Sequence, residues 1–312
     1  MQISTGYLFD RSSKQMVSIQ NDLAKSQAQI AAQKQVLNPS DAPDQAATIT
    51  RLKSVIGRQD TYSTALNQVQ ARLDGESTNL TSASDVLVRI KELAVQANNG
   101  SQGQVSRLAI ATEMKGLRDQ LLSLSNSTDP TGNYIFSGSK VHTPAFTEDA
   151  EGRVHYTGDQ TRMNVAVGEQ RSVPINRPGT NAFTRVVRTD ETGEQTGVGF
   201  FSAIDDLINA VKSPERGPDV IMQMQRGLTE MDALHNGVVM AQAEVGTDMK
   251  VVEQQGAVVD DTKMTLKVAL SNVEDLDMAT AITNMQKLML SLEAAQSTFA
   301  KTSQMSLFKY LG

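Results

Sequence analysis

The sequence predicts a mainly α-helical chain with a β-rich insertion. Long helices from the N- and C-terminal parts form a coiled-coil or helical bundle, and a small β domain lies centrally between them. Three observations lead there. The prolines leave two long stretches open, each stretch repeats apolar residues in steps of three and four, and the text between them turns Gly-rich and β-branched.

The prolines stand at positions 39, 43, 130, 144, 174, 178, 214 and 218. None falls between Pro43 and Pro130 or after Pro218, so long helices can run there without losing a backbone hydrogen bond. The first open stretch carries a heptad seam: Leu52, Val55, Gln59, Tyr62, Leu66, Val69, Leu73, Glu76, Leu80, Ala83, Leu87, Ile90, Ala94 and Ala97. Only Gln59 and Glu76 are polar. A seam of that length marks a helix packed along its length on other helices, about 70 Å at 1.5 Å per residue. Ser40-Asp41 and Pro43 supply an N-cap and a first-turn proline, and Asn98-Asn99-Gly100 supplies a stop. Gly75 weakens the helix locally, by roughly 1 kcal/mol against Ala. A second helix is expected over 102–124, with the stripe Ile110, Met114, Leu117, Leu121, Leu124.

The C-terminal stretch repeats the pattern through Ile221, Met224, Leu228, Met231, His235, Val238, Gln242, Val245, Met249, Val252, Gly256, Val259, Lys263, Leu266, Leu270 and Val273. It restarts in a shifted phase as Ile282, Met285, Met289, Leu292, Gln296, Phe299. The slip at Glu274-Asp275-Leu276-Asp277 reads as a bend or junction. The N-terminus has a weaker seam: Met16, Ile19, Leu23, Ser26, Ile30, Gln33, Leu37. Between the helical halves, Arg153–Thr157 and Met163–Val167 alternate as strands do. Glu151-Gly152, Gly158-Asp159 and Pro178-Gly179 give the turns. Three domains are therefore expected: residues 1–40 with 274–312, a terminal coiled coil for assembly; 41–142 with 200–273, a helical bundle; and 143–199, a β-rich insert.

Composition fits thin aliphatic seams. Of 312 residues only 4% are aromatic, none is Trp, and 14 are Met. The net charge of −6, without a basic run, speaks against nucleic acid and against an anionic membrane as partners. No stretch is apolar over the roughly 20 residues a span needs, and the first residues lack the basic flank and apolar core of a cleaved signal. Cysteine is absent, which removes disulfides, thiolate metal sites and Cys nucleophiles together.

The run Arg89-Ile90-Lys91-Glu92-Leu93-Ala94-Val95-Gln96-Ala97-Asn98-Asn99-Gly100 closely resembles the stretch that closes the first long helix of the flagellin superfamily. Further motifs resemble the hook-associated, hook–filament junction branch. These are the opening Ile3-Ser4-Thr5 and Val36-Leu37-Asn38-Pro39-Ser40-Asp41-Ala42-Pro43, with Ala42 where a second Asp is usual. Gly132-Asn133-Tyr134-Ile135-Phe136-Ser137-Gly138 and the ending Ser306-Leu307-Phe308-Lys309-Tyr310-Leu311 complete the set. The resemblance spans both helical halves and leaves 143–199 uncovered. It implies a structural subunit of the bacterial flagellum, exported unfolded through the flagellar type III apparatus, with a cytoplasmic chaperone on its C-terminal segment beforehand. Outside the cell, copies of the chain would form a ring above the neighbouring hook-associated junction protein, with flagellin stacked on top.

The residues suit that task. The two terminal seams are amphipathic and each is expected to lack a partner of its own, so they stay largely disordered until assembly. The expected assembly interface is Met16, Ile19, Leu23, Ile30 and Leu37 with Ile282, Met285, Met289, Leu292, Phe299, Leu307, Phe308 and Leu311. Periodicity alone would favour an intramolecular bundle in an ordinary soluble monomer; the twelve-residue match and the motifs at both ends reverse that preference. The rival readings are a short flagellin and, from another class, a cytosolic coiled-coil adaptor or signalling protein. No catalytic, cofactor or metal site is expected. His142 and His155 lack ligand spacing, and His235 falls on a seam. Asp205-Asp206 and Asp260-Asp261 point to different helix faces, as solvated residues or inter-subunit ion pairs. Gly197-Val198-Gly199 lacks the rest of a dinucleotide fingerprint. Tyr134–Gly138 reads as a strand or hairpin edge, equally suited to core packing and to an inter-subunit contact.

Overall fold

The computed structural model describes residues 2–189 and 195–311, with side chains for residue 7 and residues 9–188 and 195–301. Helix dominates. In order the chain forms α1 (Gln2–Ala32), α2 (Pro43–Asn98), α3 (Gln104–Ser125), β1 (Phe146–Glu148), β2 (Val154–Tyr156), β3 (Asn164–Ala166) and β4 (Ser172–Pro174). It continues with α4 (Gly179–Ala182), β5 (Val186–Thr189), β6 (Gln195–Val198), α5 (Phe200–Lys212), α6 (Pro218–Glu274) and α7 (Met278–Leu311). Two compact units result: residues 1–59 with 261–312, and residues 60–260. α2 and α6 are continuous through the boundary.

Within residues 60–260 the heptads are the core. On α2, Leu66, Leu73, Leu80, Leu87 and Ala94 recur every seven residues and are buried; so do Val69, Glu76, Ala83, Ile90 and Ala97. On α6 the buried set is Met224, Met231, Val238, Val245, Val252 and Val259, again every seventh residue. A strict seven-residue repeat keeps one stripe facing its partner because each helix supercoils slightly. Each fully buried Leu, Ile or Met contributes about 1.5–3 kcal/mol. The stop expected at Asn98 holds, and it has a partner: Arg216 donates to the carbonyls of Asn98 and Asn99, satisfying acceptors at the end of α2. α2 begins at Pro43 as expected, but Asp41 does not cap it. Its carboxylate turns instead to Lys25 Nζ at 3.2 Å.

α5 was not anticipated as a separate helix, though Phe200, Ile204, Leu207 and Val211 mark a plain amphipathic stripe, and it packs on α3. The expected strands over 153–157 and 163–167 are β2 and β3. Each belongs to a two-stranded antiparallel ladder: β1–β2, β3–β4 and β5–β6. Strands this short stand only when packed on something larger. That support is aromatic. Phe136, Phe146, Phe183, Phe200 and Phe201, five of the chain's eight Phe, form a cluster with Tyr156, with ring centroids 5.1–5.5 Å apart in edge-on pairs such as Phe183–Phe200 and Phe146–Phe201. The helical seams are aliphatic as the composition suggests, and beside them sequence-distant Phe residues converge into a second, aromatic part of the core.

The same cluster settles Tyr134–Gly138. Ile135, Phe136 and Ser137 are buried, so the motif is core, and only an isolated bridge joins Tyr134 to Thr128 in place of a strand. Gly138 is required: its φ is +72° and a Cβ there would lie 2.3 Å from the Asp159 carbonyl oxygen.

Candidate assembly surface

In the unit formed by residues 1–59 and 261–312, α1 and α7 pack on each other. Each therefore supplies the other's partner, which corrects the expectation that neither had one. The half-buried stripe of α1 runs through Met16, Ile19, Leu23, Ser26 and Ile30, as its weak seam predicted. α1 stops at Ala32 because Gln33 takes a positive φ of 56°. Leu37 is half-buried in the following linker and lies beyond the helix.

On α7 the phase differs from expectation. The covered stripe is Met278, Ala281, Met285, Leu288, Leu292, Ala295 and Phe299. Met285, Leu292 and Phe299 were foreseen, whereas Ile282, Met289 and Gln296 are exposed. Phe299 meets Phe9 of α1 with ring centroids 4.5 Å apart. The side chains of Leu307, Phe308 and Leu311 lie outside the described residues.

The contact between α1 and α7 is shallow. Among the described side chains none of α1 is fully buried, and Ala281 alone is so on α7. Beside the covered stripe, Ile282, Met289 and Leu290 stand open on α7, with Leu290 69% exposed. Val17 on α1 and Met264 and Val268 on α6 are likewise open. Single exposed apolar residues are ordinary, but this many on so thin a unit leave much apolar surface uncovered.

The slip at 274–277 is a built joint. Gln35 N–H donates to the Glu274 carbonyl at 2.8 Å and Leu276 N–H to the Gln33 carbonyl at 3.1 Å. Lys34 and Lys53 each place Nζ 2.8 Å from Glu274 Oε1, whose side chain is 9% exposed. The hydrogen bond from Lys34, then that from Lys53, holds the Glu274 carboxyl below its ordinary range. Asp277 caps α7: its Oδ1 accepts from the N–H groups of Ala279 and Thr280 at 3.0 and 3.2 Å.

The other candidates are structural. His235 is half-buried with Nε2 3.0 Å from Ser84 Oγ. His155 Nε2 lies 2.8 Å from Asp149 Oδ2 in the β1–β2 turn. The Arg153 N–H, with His155, draws the Asp149 carboxyl down to about 2. Among the described residues no group of three or more His, Asp or Glu is arranged to hold a metal ion, at His142 or elsewhere. Asp205 and Asp206 are intramolecular partners: Asp205 of Arg118 at 3.0 Å and Asp206 of Arg188. That corrects their reading as solvated or inter-subunit charges. No described helix is long and apolar enough to cross a membrane.

A polar seam residue went unexplained by the sequence. Glu76 is 1% exposed, and its partner is Arg177 from the β-rich segment, Nη1 to Oε1 at 2.8 Å. The signal was present as a charged residue on an otherwise apolar stripe, but nothing along the chain pointed to Arg177.

Family models of the bacterial flagellin N-terminal and C-terminal helical regions match residues 3–141 and 228–311, well over half of the chain together. Flagellar hook-associated protein 3 of Salmonella typhimurium is 28% identical over 320 residues, covering 99% of each chain. The crystal structure of Xanthomonas campestris FlgL superposes with a TM-score of 0.63 at 24% identity, over 72% of this chain and 99% of that one. The flagellar junction protein FlgL of Legionella pneumophila does so with a TM-score of 0.62 at 18% identity, over 72% and 99%. These two structural likenesses are likenesses of fold.

Proposed function

Because this chain belongs to the flagellin family, matched through the helical regions at both its ends, we propose that it is a structural subunit of the bacterial flagellum joining hook to filament. The observation that carries the reading is the half-open α1–α7 pair: two long amphipathic helices with one shallow contact and an uncovered apolar flank at Ile282, Met289 and Leu290. Ordering backbone costs about 1–2 kcal/mol per residue. A pair without deep burial offsets little of that, so neighbouring subunits complete it. Higher identity to a hook-associated protein 3, 28%, than to a flagellin aligned over nearly the same span, 20%, supports the junction over the filament itself.

In this reading the terminal helices become fully ordered on assembly, against copies of this chain, the adjoining hook-associated junction protein and flagellin. Before export a cytoplasmic chaperone holds the C-terminal segment, and the type III apparatus carries the chain out. The role is mechanical and needs no catalytic centre.

Electron microscopy of a deletion strain tests the role. Intact hooks with filament protein lost to the medium are the expected result; loss of the main filament protein itself would make the chain a flagellin. Limited proteolysis of the purified monomer tests the folding step. α1 and α7 should be cut well before residues 60–260, and equal resistance would refute ordering on assembly.

A further inference from the structure

The charge at the middle of the helical seam has a consequence for the β-rich segment. Glu76 occupies a core heptad position between Leu73 and Leu80, where an apolar residue would serve stability better. Arg177, 101 residues further along the chain, answers it from the segment after β4 and is itself 4% exposed. The same guanidinium reaches α6, with Nη2 3.1 Å from Asp248 Oδ2 and Nε 3.3 Å from Glu244 Oε2. One side chain of the insert thus bonds to both long helices at one level.

Its position is prepared by its neighbours. Asn176 Oδ1 accepts from the Met163 N–H at 2.6 Å, Asn176 Nδ2 donates to the Thr161 carbonyl at 3.0 Å, and Gly179 N–H donates to the Phe136 carbonyl at 2.7 Å. Arg177 therefore arrives only with the folded segment. The remaining charges do not replace it. Arg72, one turn before Glu76, bonds to Asp129 at 3.0 Å and keeps Nε and Nη2 buried without a partner. Arg162 lies 3.5 Å from Glu244 at an exposed pair. Without Arg177, Glu76 would be a buried carboxylate beside that of Asp248, with only the charge of Arg72, already hydrogen-bonded to Asp129, to offset it.

We propose that the β-rich segment is a lock on the two long helices: α2 and α6 close their seam around Glu76 only once this segment has folded and delivered Arg177. The device sets the register of the seam, since a slip of either helix parts Glu76 and Asp248 from their shared guanidinium. It also sets an order of folding, in which the seam cannot become stable ahead of the insert. This inference is independent of any role in the flagellum and is tested on the isolated chain.

Thermal unfolding of the full chain at pH 7 and pH 5 decides it, with the variants Arg177→Gln, Glu76→Leu and the two combined. These changes leave the Phe cluster intact. Arg177→Gln should lower the midpoint of the main transition by about 10 °C, the usual effect of stranding a buried charge in a unit of this size. Adding Glu76→Leu should restore most of that loss, because the fully buried carboxylate is then gone and the two that remain, Asp248 and Glu244, still reach solvent. Acidification should raise Arg177→Gln relative to wild type, and the double variant less, since a stranded buried carboxylate binds its proton more tightly in the folded chain and only the partly exposed Asp248 and Glu244 remain stranded in the double variant. A midpoint for Arg177→Gln within about 2 °C of wild type overturns the lock, because ordinary surface changes do as little. So does a double variant no more stable than Arg177→Gln alone, and if Arg177→Gln fails to fold, the double variant decides between the same two outcomes.

Discussion

Two amphipathic helices of this chain meet different fates. From Leu66 to Ala97, α2 buries nearly every heptad position, and even its one charge finds a partner. From Met16 to Ile30, α1 covers a stripe of the same spacing only halfway. The difference lies in how many surfaces surround each. α2 is enclosed with α6 and an aromatic cluster in its unit, whereas α1 has a shallow contact with α7. Equal periodicity therefore makes a finished core in one place and an unfinished one in the other. An unfinished core is what a subunit needs where other subunits must fit.

The contrast can be broken from its strong side first. Phe136→Ala should cost residues 60–260 about 3–5 kcal/mol, read as a fall in the urea midpoint, because it removes a fully buried ring that packs on Phe183 of the cluster. A loss under about 1 kcal/mol would mean that unit is no better packed than the terminal pair. Leu292→Ala, by contrast, should leave the main unfolding transition of the monomer nearly unchanged. Its incorporation into flagella should fall about tenfold, the effect of roughly 1.4 kcal/mol lost at an interface. Equal effects on monomer and assembly would erase the distinction.

The joint gives a smaller effect with a defined sign. Lys34 and Lys53 hold the Glu274 carboxyl below its ordinary 4.5. The contribution is complete above that value and fades as pH falls through the lower value of the folded chain. Glu274→Gln should lack it at every pH, so proteolysis within residues 33–42 should be faster at pH 7 and less dependent on acid than in wild type. The smallest effect sharpens the phase of α7. Ile282→Ser should change monomer stability by no more than about 0.5 kcal/mol, as exposed positions do, while Leu288→Ser should hasten exchange of α1 amides. The reverse ranking would restore the phase read from the sequence.

The sequence made the long helices legible because a heptad over many turns has no other good solution. Their ends were legible too, at Pro43, Asn98 and Glu274, since proline, Asn-Asn-Gly and a phase slip act locally. The phase of α7 was not legible. Ile282, Met285, Leu288, Met289, Leu290 and Leu292 offer two overlapping stripes, and only the packing of α1 selects one. α5 carries a stripe of its own, Phe200, Ile204, Leu207 and Val211, but it is short and follows Gly-rich text whose local pattern is that of strands.

By itself, then, the sequence determined where helices run, where they stop and which faces are apolar, all consequences of short-range sterics and periodic burial. It also carried the motifs of a flagellin-like chain. Tertiary structure alone decided which apolar face is covered, that five scattered Phe residues meet, and that Glu76 is answered by Arg177. Those outcomes depend on contacts between residues up to a hundred or more positions apart, and no local rule encodes the distance across which two side chains will find each other.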